Sequence, residues 1–244
     1  MEKPFQWAMD RKKKKILLGI FISVVIVAGI VFIPIGIDAA GPAPKFIEED
    51  WIELDKIANI SKFNSAIGHG FPLPWDETSK KHYFRAFDAC GDSNEEVKVF
   101  APTDAIITVI MDESHRLDNG EIRGKQLHLV STTHPSIEFT LFHINIEKTN
   151  LRVFQRVKAG DELGFCDMRD ECDTDIAVMR GGRSISWFEL LSEDLREEYE
   201  DRGMNFEDVI KSEEEIRQTK EDGYGFDNED PDDWIQLSWI NCTA

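Results

Sequence analysis

The sequence predicts a mainly β domain, a small barrel or sandwich, preceded by one transmembrane helix and followed by a helical C-terminal extension. Three observations carry that expectation. An uncharged run of 22 residues lies near the N-terminus (Ile16–Ile37). Between 97 and 168 the chain is cut into short runs rich in branched and aromatic residues, separated by turn formers. Beyond 183 the apolar spacing changes from alternation to a helical repeat.

The N-terminal elements come first. A hydrocarbon core of about 30 Å needs roughly 20 helical residues, and ILLGIFISVVIVAGIVFIPIGI is long enough to span it. Arg11 and Lys12 to Lys15 precede the run, and Asp38, Glu48, Glu49 and Asp50 follow it. Lysine and arginine favour the cytoplasmic side, which places residues 1–15 inside as a basic tail and the remainder outside the cytoplasm at the cell membrane. Cleavage after Ala39-Ala40 as a signal peptide is the competing expectation, although such apolar regions are usually shorter. Gly41-Pro42-Ala43-Pro44 then forms a stiff spacer, and 38–62 holds the spacer and a first element around Trp51 and Ile52.

The main domain is expected over 63–182. It opens with a loop rich in Gly, Pro and aromatics, SAIGHGFPLPWDETSKKHYFRAFDACGD. Strands are expected at VKVFAPTDAIITVIMD, KQLHLVST, IEFTLFHINI, LRVFQRV and ELGFCDM, with Asp118-Asn119-Gly120 as a turn. The extension, 183–244, begins with Ser186-Trp187-Phe188-Glu189, a capping box that predicts a helix to about Arg202 with Gly203 as its stop. Trp187, Phe188, Leu190, Leu191 and Leu195 give that helix one apolar face for the core. Asn205 is read as the cap of a second, highly charged helix over 206–220. An acidic loop and one last strand complete the chain.

Charge narrows the function classes. The first 40 residues carry six basic and three acidic side chains, leaving 22 basic against 44 acidic in the rest. A surface of net charge −22 repels phosphate backbones, so nucleic acid is excluded as a partner class. Asp227, Glu229, Asp230, Asp232 and Asp233 lack the spacing of an EF-hand loop and read as a solvated acidic loop. Cys166 and Cys172, six positions apart, are candidates for a disulfide in an oxidising compartment, with Cys90 and Cys242 left over. Asn59-Ile60-Ser61 and Asn241-Cys242-Thr243 match the glycosylation pattern.

Val99 to Ala105 (VFAPTDA), Thr140 to Ile144 (TLFHI) and Arg152 to Gly164 (ending VKAGDELG) together resemble the lysostaphin-type, or M23, metallopeptidase domain. That family has an "AP.DG" turn, a strand ending in Tyr-x-His-Leu, and a "V..G..V..G..IG" segment, in this order. The resemblance covers about 82–180 and implies an M23-like β fold, a duplicated hybrid motif. Gly160 and Gly164 are expected at tight turns with positive φ.

The family holds zinc with the His and Asp of His-x-x-x-Asp and the last His of His-x-His. Asp88 can be set at the Asp position, but Phe84 stands where the first His is required, with His82 as a near miss. At the His-x-His position the chain reads Asp175-Ile176-Ala177, and Ala177 cannot ligate. His143 matches the auxiliary histidine. The resemblance therefore implies no catalytic residue and no cofactor, with His82, Asp88 and Asp175 as metal ligands and His143 as catalytic residue only if the domain is active. His69, His82, Asp88, His143 and Asp175 are the ligand-binding candidates, and His115, His128 and His134 are read as structural or exposed. A membrane-anchored binding or scaffolding domain is the expected function, with an envelope polymer or a neighbouring membrane protein as partner. The alternatives are a zinc peptidase acting on envelope peptide crosslinks and a structural subunit of a membrane complex. Biotinyl or lipoyl carriers and export-pump adaptors share this kind of β unit, but the lysine hairpin and the long helical insertion they need are absent.

Overall fold

Alternation decides how the strands lie. In a computed structural model that describes residues 36, 38–170 and 172–238, eleven strands form one antiparallel sheet. They are β1 (Ile57–Ser61), β2 (His82–Ala86), β3 (Lys98–Phe100), β4 (Ala105–Asp112), β5 (Lys125–Ser131) and β6 (Ile137–Asn145). The remainder are β7 (Arg156–Val157), β8 (Glu162–Cys166), β9 (Thr174–Arg180), β10 (Arg183–Ile185) and β11 (Trp234–Gln236). The order is β11-β1-β2-β9-β6-β5-β4-β7, with β10 beside β9 and β8 joining β3 to the end of β6.

The sheet is open, which corrects the expectation of a closed barrel or sandwich. The strands at its two ends, β11 and β7, are three and two residues long and do not pair with each other. The apolar face is covered instead by the segment after β10. Trp187, Phe188, Leu190, Leu191 and Leu195 are buried in one cluster with Trp51, Phe84, Ile107, Leu129, Phe139, Leu141 and Val178. The opposite face of β2, β9 and the end of β6 lies under the loop 64–78.

The extension is divided differently from the sequence expectation. The capping box at Ser186 and Glu189 is present, but it opens only a 3-10 turn, Trp187–Glu189. Ser192 then caps α1 (Glu193–Asp201), and Gly203 follows at φ 93°. The second helix, α2 (Glu213–Glu221), starts at a capping box of Ser212 and Glu215 rather than at Asn205. Asn205 instead stabilises a turn, accepting from the Glu207 amide at 3.1 Å. The acidic run is not wholly solvated either. Asp233 is buried, accepts from the Ala66 amide at 2.9 Å and pairs with Lys211.

The segments that carry the resemblance occupy compatible places. Ala101–Asp104 turns between β3 and β4, Thr140–Ile144 ends β6, and Val157–Gly164 runs from β7, which pairs with β4, into β8, which pairs with β3 and β6. Gly160 stands in a turn with φ 79°, as expected, whereas Gly164 lies within β8 rather than at a turn, with φ 152°; a Cβ on it would lie 2.3 Å from the Asn145 carbonyl oxygen.

Cys166 and Cys172 are not joined. Cys166 ends β8 facing the core, whereas Cys172 emerges beyond Asp170 (φ 61°) with Sγ 3.4 Å from the Asp170 carbonyl. The intervening loop is held by other bonds, from the Asp167 amide to His143 O at 2.7 Å and from the Met168 amide to Ser93 O at 2.8 Å. Cys90 is buried, and Cys242 and Asn241 lie outside the described residues. The proposed membrane helix, 16–37, lies outside them too, apart from Gly36. Among the described residues no helix is long and apolar enough to cross a membrane.

Candidate functional site

Strand register assembles the site. Tyr83 of β2 stands opposite Asp175 of β9, and Asp175 stands opposite Phe142 of β6. Side chains directly opposite in a sheet share a face, so these three form a row, and Lys81, two residues before Tyr83, joins it. Lys81 Nζ contacts Asp175 Oδ2 at 2.6 Å, with side-chain exposures of 1% and 0%. Neither carboxylate oxygen accepts a well-angled hydrogen bond, so the ammonium contact is what compensates the buried charge.

Three rings enclose that ammonium. Phe142, Tyr83 and Phe71 have their centroids 4.4, 4.7 and 5.5 Å from Nζ, distances at which ring faces attract a cation. His69 closes the cage. Its Nδ1 donates to Gly70 O at 2.9 Å, which leaves Nε2 to accept from Lys81 Nζ at 3.2 Å. Gly68 before it has φ 73°, and a Cβ there would lie 2.2 Å from the Tyr83 hydroxyl, so the loop approaches this closely only because glycine is present. Burial by itself would lower the Lys81 pKa, but Asp175 and Tyr83 outweigh it and the pKa is raised. Lys81 is therefore held as a cation.

His143 reaches the cluster by breaking the alternation. Its φ is 60°, rare for a residue with a Cβ, and the β5–β6 register shifts at the same place. The ring consequently lies beside Asp175, with Nε2 3.5 Å from Oδ1, while Nδ1 is 3.7 Å from Glu113 Oε1. Glu113 also accepts from the His143 amide at 3.3 Å. Gly124 makes room for the turn, since a Cβ there would be 2.7 Å from the His143 carbonyl carbon. Burial, assisted by Arg123 and Lys81 and opposed by Asp175, lowers the His143 pKa to about 4. The imidazole is neutral.

Of the candidates named from sequence, His69, His143 and Asp175 come together. His82 does not. It points to the other face of β2, where Nδ1 donates to Ser61 O at 2.8 Å. Its Nε2 accepts from the Ser186 hydroxyl at 2.7 Å, and the ring packs on Phe188. Asp88 does not converge either. It is exposed beyond the far end of β2, lining a cavity of about 590 Å³ with Arg85, Asp92, Cys172 and Asp173. His115 is exposed, His128 pairs with Glu138 and His134 with Asp38. Lys81, Tyr83 and Glu113 were absent from the sequence candidates. The signal for Lys81 was its phase: it falls on the Lys81-Tyr83-Arg85 side of an alternating strand whose other side, His82-Phe84-Ala86, is the core side.

Zinc of the catalytic kind needs three protein donors and an open position. The residues present do not fit that ion. His82 and Asp88 are elsewhere, Asp175 is already matched by an ammonium, and an exchangeable cation would compete with Lys81 for the same oxygen. Among the described residues no three His, Cys, Asp or Glu side chains are placed to hold a metal ion.

No family model matches the chain, and no curated protein sequence matches it. Solved structures that resemble it are lysostaphin and M23-type peptidases. The catalytic domain of the antimicrobial peptidase lysostaphin from Staphylococcus simulans is 15% identical with a TM-score of 0.36, over 52% of this chain and 84% of that one. A protein assigned to peptidase M23 from Pseudomonas aeruginosa is 11% identical with a TM-score of 0.37, over 62% and 55%. Csd3 of Helicobacter pylori is 14% identical with a TM-score of 0.42, over 80% and 48%. Likeness at these values concerns the path of the chain and says nothing of activity.

Proposed function

We propose that this chain is a membrane-anchored, extracytoplasmic M23-like domain that binds or scaffolds at the cell envelope and does not hydrolyse peptides. The observation that carries the reading is the buried contact of 2.6 Å between Lys81 and Asp175. A hydrolytic zinc must polarise a carbonyl and activate water, and here a fixed ammonium inside an aromatic cage holds the carboxylate that such an ion would need. Two cation–carboxylate pairs bridge the neighbouring strands, Lys81 with Asp175 and Arg85 with Asp173, the latter through two hydrogen bonds of 2.9 and 2.8 Å.

A binding role has a surface to work with. The loop 64–78 that covers the cluster also forms one wall of an apolar groove of about 350 Å³, facing Ile216, Tyr224 and Phe226, with Trp75 on it 75% exposed. The partner class is an envelope polymer or a neighbouring membrane protein. The anchor is the uncharged run at 16–37, oriented by the basic residues before it.

Three measurements on the full chain test the reading. Metal analysis should find no stoichiometric zinc, and crosslinked envelope peptides should stay intact on incubation with the detergent-extracted protein. Cell fractionation should place the chain with membranes, and deletion of 16–37 should release it. About one zinc per chain together with peptide cleavage would overturn the proposal, as would a full-length chain found free of membranes.

A further inference from the structure

We infer that the groove between the loop 64–78 and α2 takes an arginine side chain from a basic, apolar segment of another protein. The inference deepens the proposed binding role and rests on it. None of the residues lining the groove falls within 82–180, the stretch that carries the M23 resemblance. Its walls are Pro74 and Trp75 on the loop, Ile216 on α2, and Tyr224 and Phe226 after α2. Ligand sites combine apolar and aromatic walls of this kind with a few placed polar groups. Trp75 is 75% exposed and Leu73, two residues before it, 44%. Tryptophan is among the residues that contribute most to an interface once a partner covers them.

Charge decides which ligand suits the walls. Residues 211–230 carry eight acidic and three basic side chains, and each of the three cations is matched within the chain. Lys211 pairs with Asp233, Arg217 with Glu214 and Glu221, and Lys220 with Glu77, from one wall of the groove to the other. Asp76, next to Trp75, and Asp227, next to Phe226, have no ion-pair partner among the described residues. An aromatic groove thus lies in a negative field. Arginine meets both features, because its guanidinium stacks on ring faces and pairs with carboxylates while its aliphatic stem covers apolar surface. A neutral glycan would stack on Trp75 without using the acidic rim, and an anionic polymer would be repelled by it.

The Lys220–Glu77 pair is the chain's own version of that contact. Its side chains are 46% and 77% exposed, so it contributes little to the fold and yields to a guanidinium from outside. The loop wall is already shaped. The Asp76 amide donates to Leu73 O at 2.9 Å, the Leu73 amide donates to Asp76 Oδ2 at 3.1 Å, and Pro72 and Pro74 fix φ on either side of Leu73. Binding there costs little ordering. Asn64 also lines the groove, and its Nδ2 donates to Lys211 O at 3.4 Å, which leaves Oδ1 to accept from the ligand.

The experiment uses the full chain in detergent and a fluorescein-labelled octapeptide in which arginines flank a leucine in a Gly-Ser background, read by fluorescence anisotropy. Binding should saturate and should weaken as salt is added. Trp75→Ala should weaken it about tenfold or more, with the unfolding midpoint in place because the side chain is exposed. Glu77→Lys should weaken it too, by reversing the charge on the rim. The same peptide with glutamates for arginines should not bind, and a neutral chito-oligosaccharide should not compete. Absence of saturable binding would overturn the inference, as would binding that survives both Trp75→Ala and Glu77→Lys. Displacement by the chito-oligosaccharide would overturn it in favour of a glycan. Zinc and peptide cleavage in the natural chain would instead overturn the proposed function and leave the octapeptide measurement standing, so the two failures are separable.

Discussion

His82 and Ser186 lie 104 positions apart in sequence, yet His82 Nε2 accepts from the Ser186 hydroxyl at 2.7 Å. The bond continues in both directions. Ser61 O receives the Nδ1 proton of His82, and Ser186 Oγ accepts from the Phe188 amide at 3.3 Å. One buried imidazole thereby ties β1, β2 and the start of the C-terminal extension together, and only its neutral form can donate at Nδ1 while accepting at Nε2.

His82→Ala should therefore lower stability without affecting any ligand. Loss of two buried hydrogen bonds and the ring's packing on Phe188 is expected to cost about 2–4 kcal/mol. His82→Gln, which can keep one donor and one acceptor, should cost less. Urea titrations of the three proteins check the order, and an unchanged midpoint for His82→Ala would contradict it.

Acid should weaken the fold through the same residue. Burial lowers the His82 pKa from 6.5 to about 4, and His143 behaves alike. Above pH 6.5 neither the folded nor the unfolded chain binds these protons, and the stabilisation is complete. As pH falls from 6.5 towards 4 the unfolded chain takes up protons that the folded chain refuses, so stability declines by about 1.4 kcal/mol per pH unit for each group. The stability advantage of the natural chain over His82→Gln should accordingly shrink between pH 7 and pH 4.5. A constant difference across that range would count against a buried neutral His82.

Gly160 and Gly164 should not be equally replaceable. Gly160 has positive φ but an open surround, its nearest neighbour to a new Cβ being Glu49 at 3.8 Å. Gly160→Ala should cost only the backbone strain, about 1–2 kcal/mol. At Gly164 the added carbon would sit 2.3 Å from the Asn145 carbonyl oxygen, across the β6–β8 pairing. Gly164→Ala should cost clearly more, and thermal melts of the two variants should separate them.

Thiol chemistry should distinguish Cys166 from Cys172. Cys166 is 1% exposed and burial raises its pKa strongly, whereas Cys172 borders the open cavity beside Asp173. Brief iodoacetamide treatment of the native protein, read by peptide mass spectrometry, should label Cys172 and spare Cys166. A disulfide-linked peptide joining the two would refute the open arrangement.

Local signals in the chain determined the β character of 97–168 and the glycine turn at 160, while Gly164 fell inside β8. Alternation and φ preference act over a few residues and survive in any context. They also determined that Trp187, Phe188, Leu190, Leu191 and Leu195 would be buried, since apolar side chains leave water whichever way the backbone winds. They left open how long each helix would run, and Ser186 opened one 3-10 turn where a long helix was expected. Only tertiary structure decided which residues meet. Reading along the chain set His82 and Asp88 beside Asp175, but strand register turns His82 to the core and carries Asp88 beyond the end of β2. Register depends on pairing between residues almost a hundred positions apart, and a shift of one residue exchanges the two faces of a strand. That is why Lys81, unremarkable in a run of polar residues, became the buried cation paired with Asp175.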